Sequence, residues 1–174
     1  MRRVKAIRGR GVNSGVALEG RGRLERLLRE AGVDSRIITF SGHVKTVSAA
    51  VKNLGVDPGR IVKSVVFIDD SGSPVVVLVQ GNRRVSEVKL ARLLGAKWVR
   101  IAKPEEAKRH TGYEVGALPP VGLPEGVRVV IDEQVMGLER VYGGGGDVNV
   151  LLEISPQDIQ RLTSGLVGDI SFEA

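Results

Sequence analysis

Two β-branched runs, residues 61–68 and 75–79, flank Asp69-Asp70-Ser71-Gly72-Ser73. Turn-forming residues between two apolar runs predict a hairpin, so the chain must fold around a sheet. Helical patterns surround that hairpin. Leu24, Leu27, Leu28 and Ala31 recur at helical spacing and stop at Gly32; a second helix is predicted from Thr46 to Leu54, ending at Gly55. Ser86 caps a third helix with apolar positions Val88, Leu90, Leu93 and Leu94. Pro104 opens a short fourth helix, and residues 156–162 form a last one. Further strands are expected at 36–40, 97–101, 127–131, 140–142, 148–154 and 166–172. Helices and strands alternate, with at least one hairpin, so the expected class is α/β (mixed α+β) around one mixed sheet.

The charge is segregated. The net charge of +6 lies wholly in the first 23 residues, where seven basic side chains face one acid, leaving 19 of each sign in the rest. The reading is a basic arm over residues 1–19 and a single neutral domain over 20–174, with no repeat or linker to divide it. Such an arm either grips phosphates or is a solvated tail. The chain has no cysteine, which excludes disulfides, thiolate metal sites and a thiol nucleophile, and its two histidines cannot build a metal site alone. The longest apolar run, 75–79, is far too short to span a bilayer, and the arginine-rich start continues into Gly, Asn and Ser, unlike a signal peptide. No membrane association and a cytoplasmic location are expected.

Three features could carry chemistry. Lys63 interrupts an apolar strand. Alternation places it with Ile61, Val65 and Phe67 on one face, and Val62, Ser64 and Val66 on the other. A lysine there either lines a cavity or meets an anionic partner, or it snorkels to water from an edge strand. The loop Thr111-Gly112-Tyr113-Glu114-Val115-Gly116-Ala117-Leu118-Pro119-Pro120-Val121-Gly122 is rich in Gly and Pro. It either presents backbone amides to an oxyanion or is an ordinary connection. The run Gly143-Gly144-Gly145-Gly146 permits close backbone approach, but it lacks the Lys-Ser/Thr of a phosphate-binding loop and opens no helix. The pairs Asp69-Asp70, Glu105-Glu106 and Asp132-Glu133 read as turn and helix-start residues rather than acid/base dyads.

In order, these segments resemble the YbaK/prolyl-tRNA-editing domain family. The resemblance is carried by Val62-Lys63-Ser64-Val65-Val66-Phe67, Val88-Lys89-Leu90-Ala91-Arg92-Leu93-Leu94-Gly95, Ala102-Lys103-Pro104-Glu105-Glu106, Thr111-Gly112-Tyr113, the glycine run and Leu152-Glu153-Ile154-Ser155-Pro156. It covers roughly residues 20–165 and implies a curved, partly barrel-like mixed sheet surrounded by helices. It also implies hydrolysis of the ester of mischarged tRNA, with a synthetase as a further candidate partner and with neither cofactor nor metal. Carried over residue by residue, Lys63 is the catalytic lysine. Ser64, Thr111, Gly112, Gly116, Gly144, Gly145 and Asn149 bind substrate, and Arg2, Arg3, Lys5, Arg8 and Arg10 are expected on tRNA phosphates. The chain departs from the family pattern at Ala117, where many members have glycine, and at Asn149, where some carry a histidine or an acid. A non-catalytic module that binds tRNA or a synthetase is the alternative reading.

Overall fold

The computed structural model describes residues 15–174, with side chains described from Arg21 onward. Helix α1 (Gly15–Ala31) leads to β1 (Arg36–Thr39), α2 (Val47–Leu54), a single 3-10 turn (Pro58–Arg60) and the hairpin β2 (Val62–Asp69) and β3 (Pro74–Gln80). Next come β4 (Arg83–Val85), α3 (Glu87–Leu94), β5 (Val99–Ile101) and α4 (Pro104–Thr111). After a loop follow β6 (Arg128–Asp132), α5 (Glu133–Met136), β7 (Val141–Gly144), β8 (Val150–Ile154), α6 (Pro156–Thr163), β9 (Leu166–Gly168) and β10 (Ser171–Glu173). The caps follow the sequence signals. The hydroxyls of Thr46, Ser86 and Ser155 accept from the N–H groups of Ala49, Lys89 and Asp158, and α2 and α3 end at Gly55 and Gly95.

The mixed α/β class holds, but the strands divide among three open sheets rather than one. Five strands run in the order β5-β2-β3-β6-β9, three in the order β1-β8-β7, and β10 pairs β4. β3 and β2 are antiparallel, with Lys63 opposite Val79, whereas β6 lies parallel to both β3 and β9. Residues 166–172, expected as one strand, form two. β9 extends the five-stranded sheet, then the chain turns at Asp169 and Ile170, and β10 leaves to pair with β4. The three-residue β4 has no periodicity from which to be read, although Gly81-Asn82 before it carries the composition of a tight turn.

The central hairpin is apolar on both faces because both are covered. Val62, Val66, Val76 and Leu78 pack with Leu24 and Leu28 of α1 and Ile159 of α6. Phe67, Val75 and Val77 pack on Leu90 and Ala91 of α3. Residues 75 to 79 are each 0% exposed.

The turn between β2 and β3 is held by Asp69. Its Oδ1 accepts from the Ser71 N–H at 3.0 Å, the Ser71 hydroxyl at 2.6 Å and the Ser73 N–H at 2.9 Å, while Oδ2 pairs with Arg128 of β6. Burial alone would raise the carboxyl's pKa. The bonds from Ser71 and Ser73 and the Arg128 guanidinium outweigh it and hold the value at about 2. A carboxylate depressed in the fold contributes stability above its unfolded value of about 3.9 and loses it as pH falls towards the folded value. Wild-type protein is therefore expected to lose more stability than Asp69→Asn between about pH 4 and pH 2 in urea titrations. Parallel losses would show that the turn carboxylate contributes nothing.

Candidate functional site

Lys63 lies early in β2, where β3 flanks it and β5 does not reach, since β5 pairs only with Phe67, Ile68 and Asp69. Its side chain is partly buried, and Nζ donates to the backbone carbonyl of Arg83 at 2.6 Å. Burial, aided by the nearby Arg84 charge, lowers its pKa from the ordinary lysine value. Among the described residues no carboxylate forms an ion pair with it. Among the described residues the lysine rests on no acid, and it does not sit on a bare edge; it is tethered to a backbone oxygen.

The start of β2 is joined to β7. Ile61 forms a parallel bridge with Tyr142, and Lys63 and Gly144 each lie two residues beyond the bridged pair. Arg60 lies over the Tyr142 ring, 5.3 Å from its centroid. The Gly/Pro loop after α4 closes on the other side of β7. The N–H of Gly146 donates to the Ala117 carbonyl at 2.9 Å, and Pro120 packs against Gly143. A Cβ on Gly144 would collide with the Leu118 carbonyl oxygen. Gly116 is required for a second reason: φ is +87°, and a Cβ there would lie 2.6 Å from the backbone oxygen of Lys45. Val44 in turn donates its N–H to Val148 at 2.7 Å. Thus the loop, the glycine run, segment 44–46 and the start of β2 form one closely packed assembly. No side chain fits at Gly144, and the chain places none there.

The predicted residues take different roles within it. Gly116, Gly144 and Gly145 come together, and the backbone of Lys63 lies along β7 beyond the Ile61–Tyr142 bridge, with its Nζ on the Arg83 carbonyl. Asn149 stands at the edge: its side-chain amide donates to the Phe40 carbonyl at 3.2 Å, and its own carbonyl accepts from the Phe40 N–H at 2.9 Å, tying β8 to the end of β1. Thr111 is 2% exposed; its hydroxyl donates to Ala107 and accepts from the Tyr113 N–H, and Gly112 caps α4. These two hold the entry to the loop. Ser64 occupies the opposite face of β2 from Lys63. Its hydroxyl oxygen is buried, and it is the one such side-chain atom without a hydrogen-bond partner among the described residues. Arg2, Arg3, Lys5, Arg8 and Arg10 lie outside the described residues.

Several loop amides are already used. The N–H groups of Gly112, Ala117, Gly145 and Gly146 all donate within the fold, whereas those of Gly116 and Leu118 make no hydrogen bond among the described residues. Asp147, the carboxylate nearest the glycine run in sequence, accepts from the Val148 N–H. The described residues contain no group of three or more His, Cys, Asp or Glu side chains that could hold a metal, and no helix among them is long and apolar enough to cross a membrane. Two surface grooves lie elsewhere. One, of about 460 Å³, is lined by Leu93, Leu94, Val127 and Leu166; the other, of about 320 Å³, by Pro104, Lys108 and Val115. No predicted site residue lines either.

Asp132 stands at a helix start, as its sequence reading has it, at the N-cap position of α5. It is 0% exposed and makes no cap bond; instead it accepts from the Ile170 N–H and the Ser171 hydroxyl. Sequence reasoning missed Arg83, Asp132 and Ser171 as neighbours of Lys63, because the pairings of β4 with β10 and of β6 with β9 bring them together.

Residues 41–162 match the family model described as the aminoacyl-tRNA editing domain. The chain is 38% identical over 114 residues to a proline–tRNA ligase of Streptococcus mutans, covering 65% of this chain and 18% of that protein. It is 39% identical over 109 residues to a proline–tRNA ligase of Desulfotalea psychrophila, covering 63% of this chain and 19% of that protein. The chain therefore spans about a fifth of the length of these curated relatives. Among solved structures, a protein described only as hypothetical superposes with a TM-score of 0.83 at 34% identity, covering 86% of this chain and 99% of that one. A candidate trans-editing enzyme for prolyl tRNA synthetase superposes with a TM-score of 0.78 at 30% identity, covering 92% and 99%.

Gly144→Ala is expected to destabilise the protein by about 1–3 kcal/mol in urea unfolding, because the new methyl meets backbone rather than a yielding side chain. An unchanged midpoint would mean that the loop separates from β7 without cost.

Proposed function

We propose, from the premise that this chain belongs to the aminoacyl-tRNA editing domain family, that it is a trans-acting deacylase clearing mischarged tRNA. The observation that carries this reading is the assembly of Lys63, the Gly116 loop and the glycine run within the family's matched span. The likeness to proline–tRNA ligases and to a candidate trans-editing enzyme for prolyl tRNA synthetase supports tRNA wrongly charged in place of proline as the substrate. A prolyl-tRNA synthetase is then the natural partner, since a binding pocket alone discriminates weakly between small apolar amino acids.

In this mechanism water attacks the carbonyl carbon of the aminoacyl ester. The carbonyl oxygen becomes an oxyanion, and collapse breaks the ester C–O bond, releasing the amino acid and a free ribose hydroxyl. The Lys63 ammonium supplies positive charge at the site, holding the terminal ribose–phosphate or the developing oxyanion. The N–H groups of Gly116 and Leu118, which make no hydrogen bond among the described residues, are the loop donors in this reading. Gly144 and Gly145 wall the pocket. Thr111, Gly112 and Asn149 hold the surrounding backbone and shape it, while the Ser64 hydroxyl is left without a partner on the opposite face of β2 from Lys63. No acid or imidazole is paired with Lys63 among the described residues, so in this reading the vicinal ribose hydroxyl of the substrate relays a proton from the attacking water to the departing ribose oxygen. No step in this mechanism draws on a metal or cofactor.

The test is release of amino acid from a panel of mischarged tRNAs. Wild-type protein should clear at least one well above the buffer rate, and Lys63→Ala should slow that clearance by about a hundredfold or more, the scale of losing a charge-stabilising group. Binding without clearance by the wild type would replace the enzyme with a binding module. Equal clearance by Lys63→Ala would remove the lysine from the chemistry.

The basic arm adds affinity rather than chemistry in this reading. Removing residues 1–14 should weaken tRNA binding and make its log–log salt dependence shallower by about 0.7–0.9 for each phosphate that the arm neutralises, with the rate at saturation unchanged. Identical salt slopes would leave the arm a solvated tail.

A further inference from the structure

Lys63 does not end its hydrogen-bonded chain at Arg83. Its Nζ donates to the Arg83 carbonyl at 2.6 Å, while the same residue's Nε donates to the Ser171 hydroxyl at 2.7 Å. That hydroxyl donates to Asp132 Oδ2 at 2.8 Å, and Asp132 Oδ1 accepts from the Ile170 N–H at 3.2 Å. Asp132 and Ser171 are 0% and 1% exposed, and the Arg83 guanidinium stands 4.0 Å from the Asp132 carboxylate. A hydroxyl can accept on one side and donate on the other; here Ser171 does both. Arg83 is thereby fixed at two points: its backbone by the pairing of β4 with β10, where it stands opposite Glu173, and its side chain by the buried Ser171–Asp132 pair.

We infer that Arg83, Ser171 and Asp132 form a positioning relay that sets the place of the Lys63 ammonium, with β10 as the strap that completes it. The inference rests on the reading of Lys63 as the reactive cation. Arg83, Ser171 and Asp132 are positioning residues, since none of them need touch substrate. Ser171 lies beyond the span matched by the family model, which ends at residue 162. A lysine has four rotatable stem bonds, and a single carbonyl can hold it only as firmly as that carbonyl is itself held. With the Ser171 hydroxyl removed, the Arg83 side chain keeps only a distant carboxylate, and its carbonyl is held by the β4–β10 pairing alone.

The experiment compares Ser171→Ala, Ser171→Thr and Lys89→Ala. Lys89 bonds Asp169 and the Ser171 carbonyl on the outside of the same strap, so its loss removes a surface contact while the β4–β10 pairing and the Arg83, Ser171 and Asp132 side-chain bonds remain. Ser171→Ala should lower kcat for clearing mischarged tRNA by about ten- to a hundredfold at unchanged KM, the scale of a small misplacement of a reacting group. Ser171→Thr should restore most of it, and Lys89→Ala should keep wild-type kcat. The resonance of Lys63 in protein carrying ¹³Cε-lysine, assigned with Lys63→Arg, should shift in Ser171→Ala and return in Ser171→Thr. Wild-type kcat in Ser171→Ala, a loss confined to KM, or an unmoved resonance would overturn the relay. A wild type that clears no tRNA would instead overturn the functional reading, and the resonance would still decide whether Ser171 positions the ammonium.

Discussion

An ammonium placed in a strand that is otherwise covered on both faces loses hydration that some other group must replace. In this chain the strand is β2, the cation is Lys63, and the replacement is one carbonyl oxygen, that of Arg83. Much of the surrounding architecture follows from supplying and fixing that oxygen. β3 turns at Gly81 and Asn82 to bring β4 over the lysine, and β10 pairs with β4 to hold it. Asp132 then anchors the junction between β9 and β10 from the end of β6. The lowered pKa of Lys63 is the remaining cost of burial beside a second cation, Arg84.

The site's other wall obeys a steric rule rather than an electrostatic one. Three backbones converge on β7: the start of β2 through the Ile61–Tyr142 bridge, the loop at Leu118, and β8 at Val150. At such a crossing side chains are excluded, and the consecutive glycines of 143–146 are what that exclusion looks like in sequence. Ala117 is tolerated because the loop approaches β7 through its carbonyl groups: the Ala117 oxygen accepts from Gly146 while its methyl goes into buried space. The glycine run is therefore a packing requirement.

What could be read from the sequence divides along the range of the interactions involved. The hairpin, the capped helices and the close approach at the glycine run are local, and each left a local mark: Asp69 and Gly72 in the turn, Thr46 and Ser86 at helix starts, four glycines in a row. Lys63 was legible because it breaks a pattern. Nothing local distinguishes Asp132 from a turn residue, or Ser171 from any strand serine, because both acquire their roles across 39 residues of chain. Thr111 and Asn149, which the family resemblance puts on the substrate, each also donate to a backbone carbonyl of the fold: Thr111 to Ala107 one turn earlier, and Asn149 to Phe40 at the end of β1.

The same distinction bears on the segments outside the matched span of 41–162. Leu24 and Leu28 of α1 enter the principal core beside Leu118 and Val121 of the site loop, and a Cβ on Gly146 would lie 3.4 Å from the Arg21 backbone. At the other end, Ile170 packs fully buried against α3 and the outer face of the hairpin while its neighbour Ser171 reaches Arg83. Thus α1 backs the glycine wall and β10 backs the lysine, from opposite sides. A segment that shares a core with a site can restrain it without contributing a reacting atom, because close-packed interiors transmit displacement rather than absorb it. In this fold the groups proposed to react lie within the matched span, while part of what packs around them, α1 on one side and β10 on the other, lies outside it.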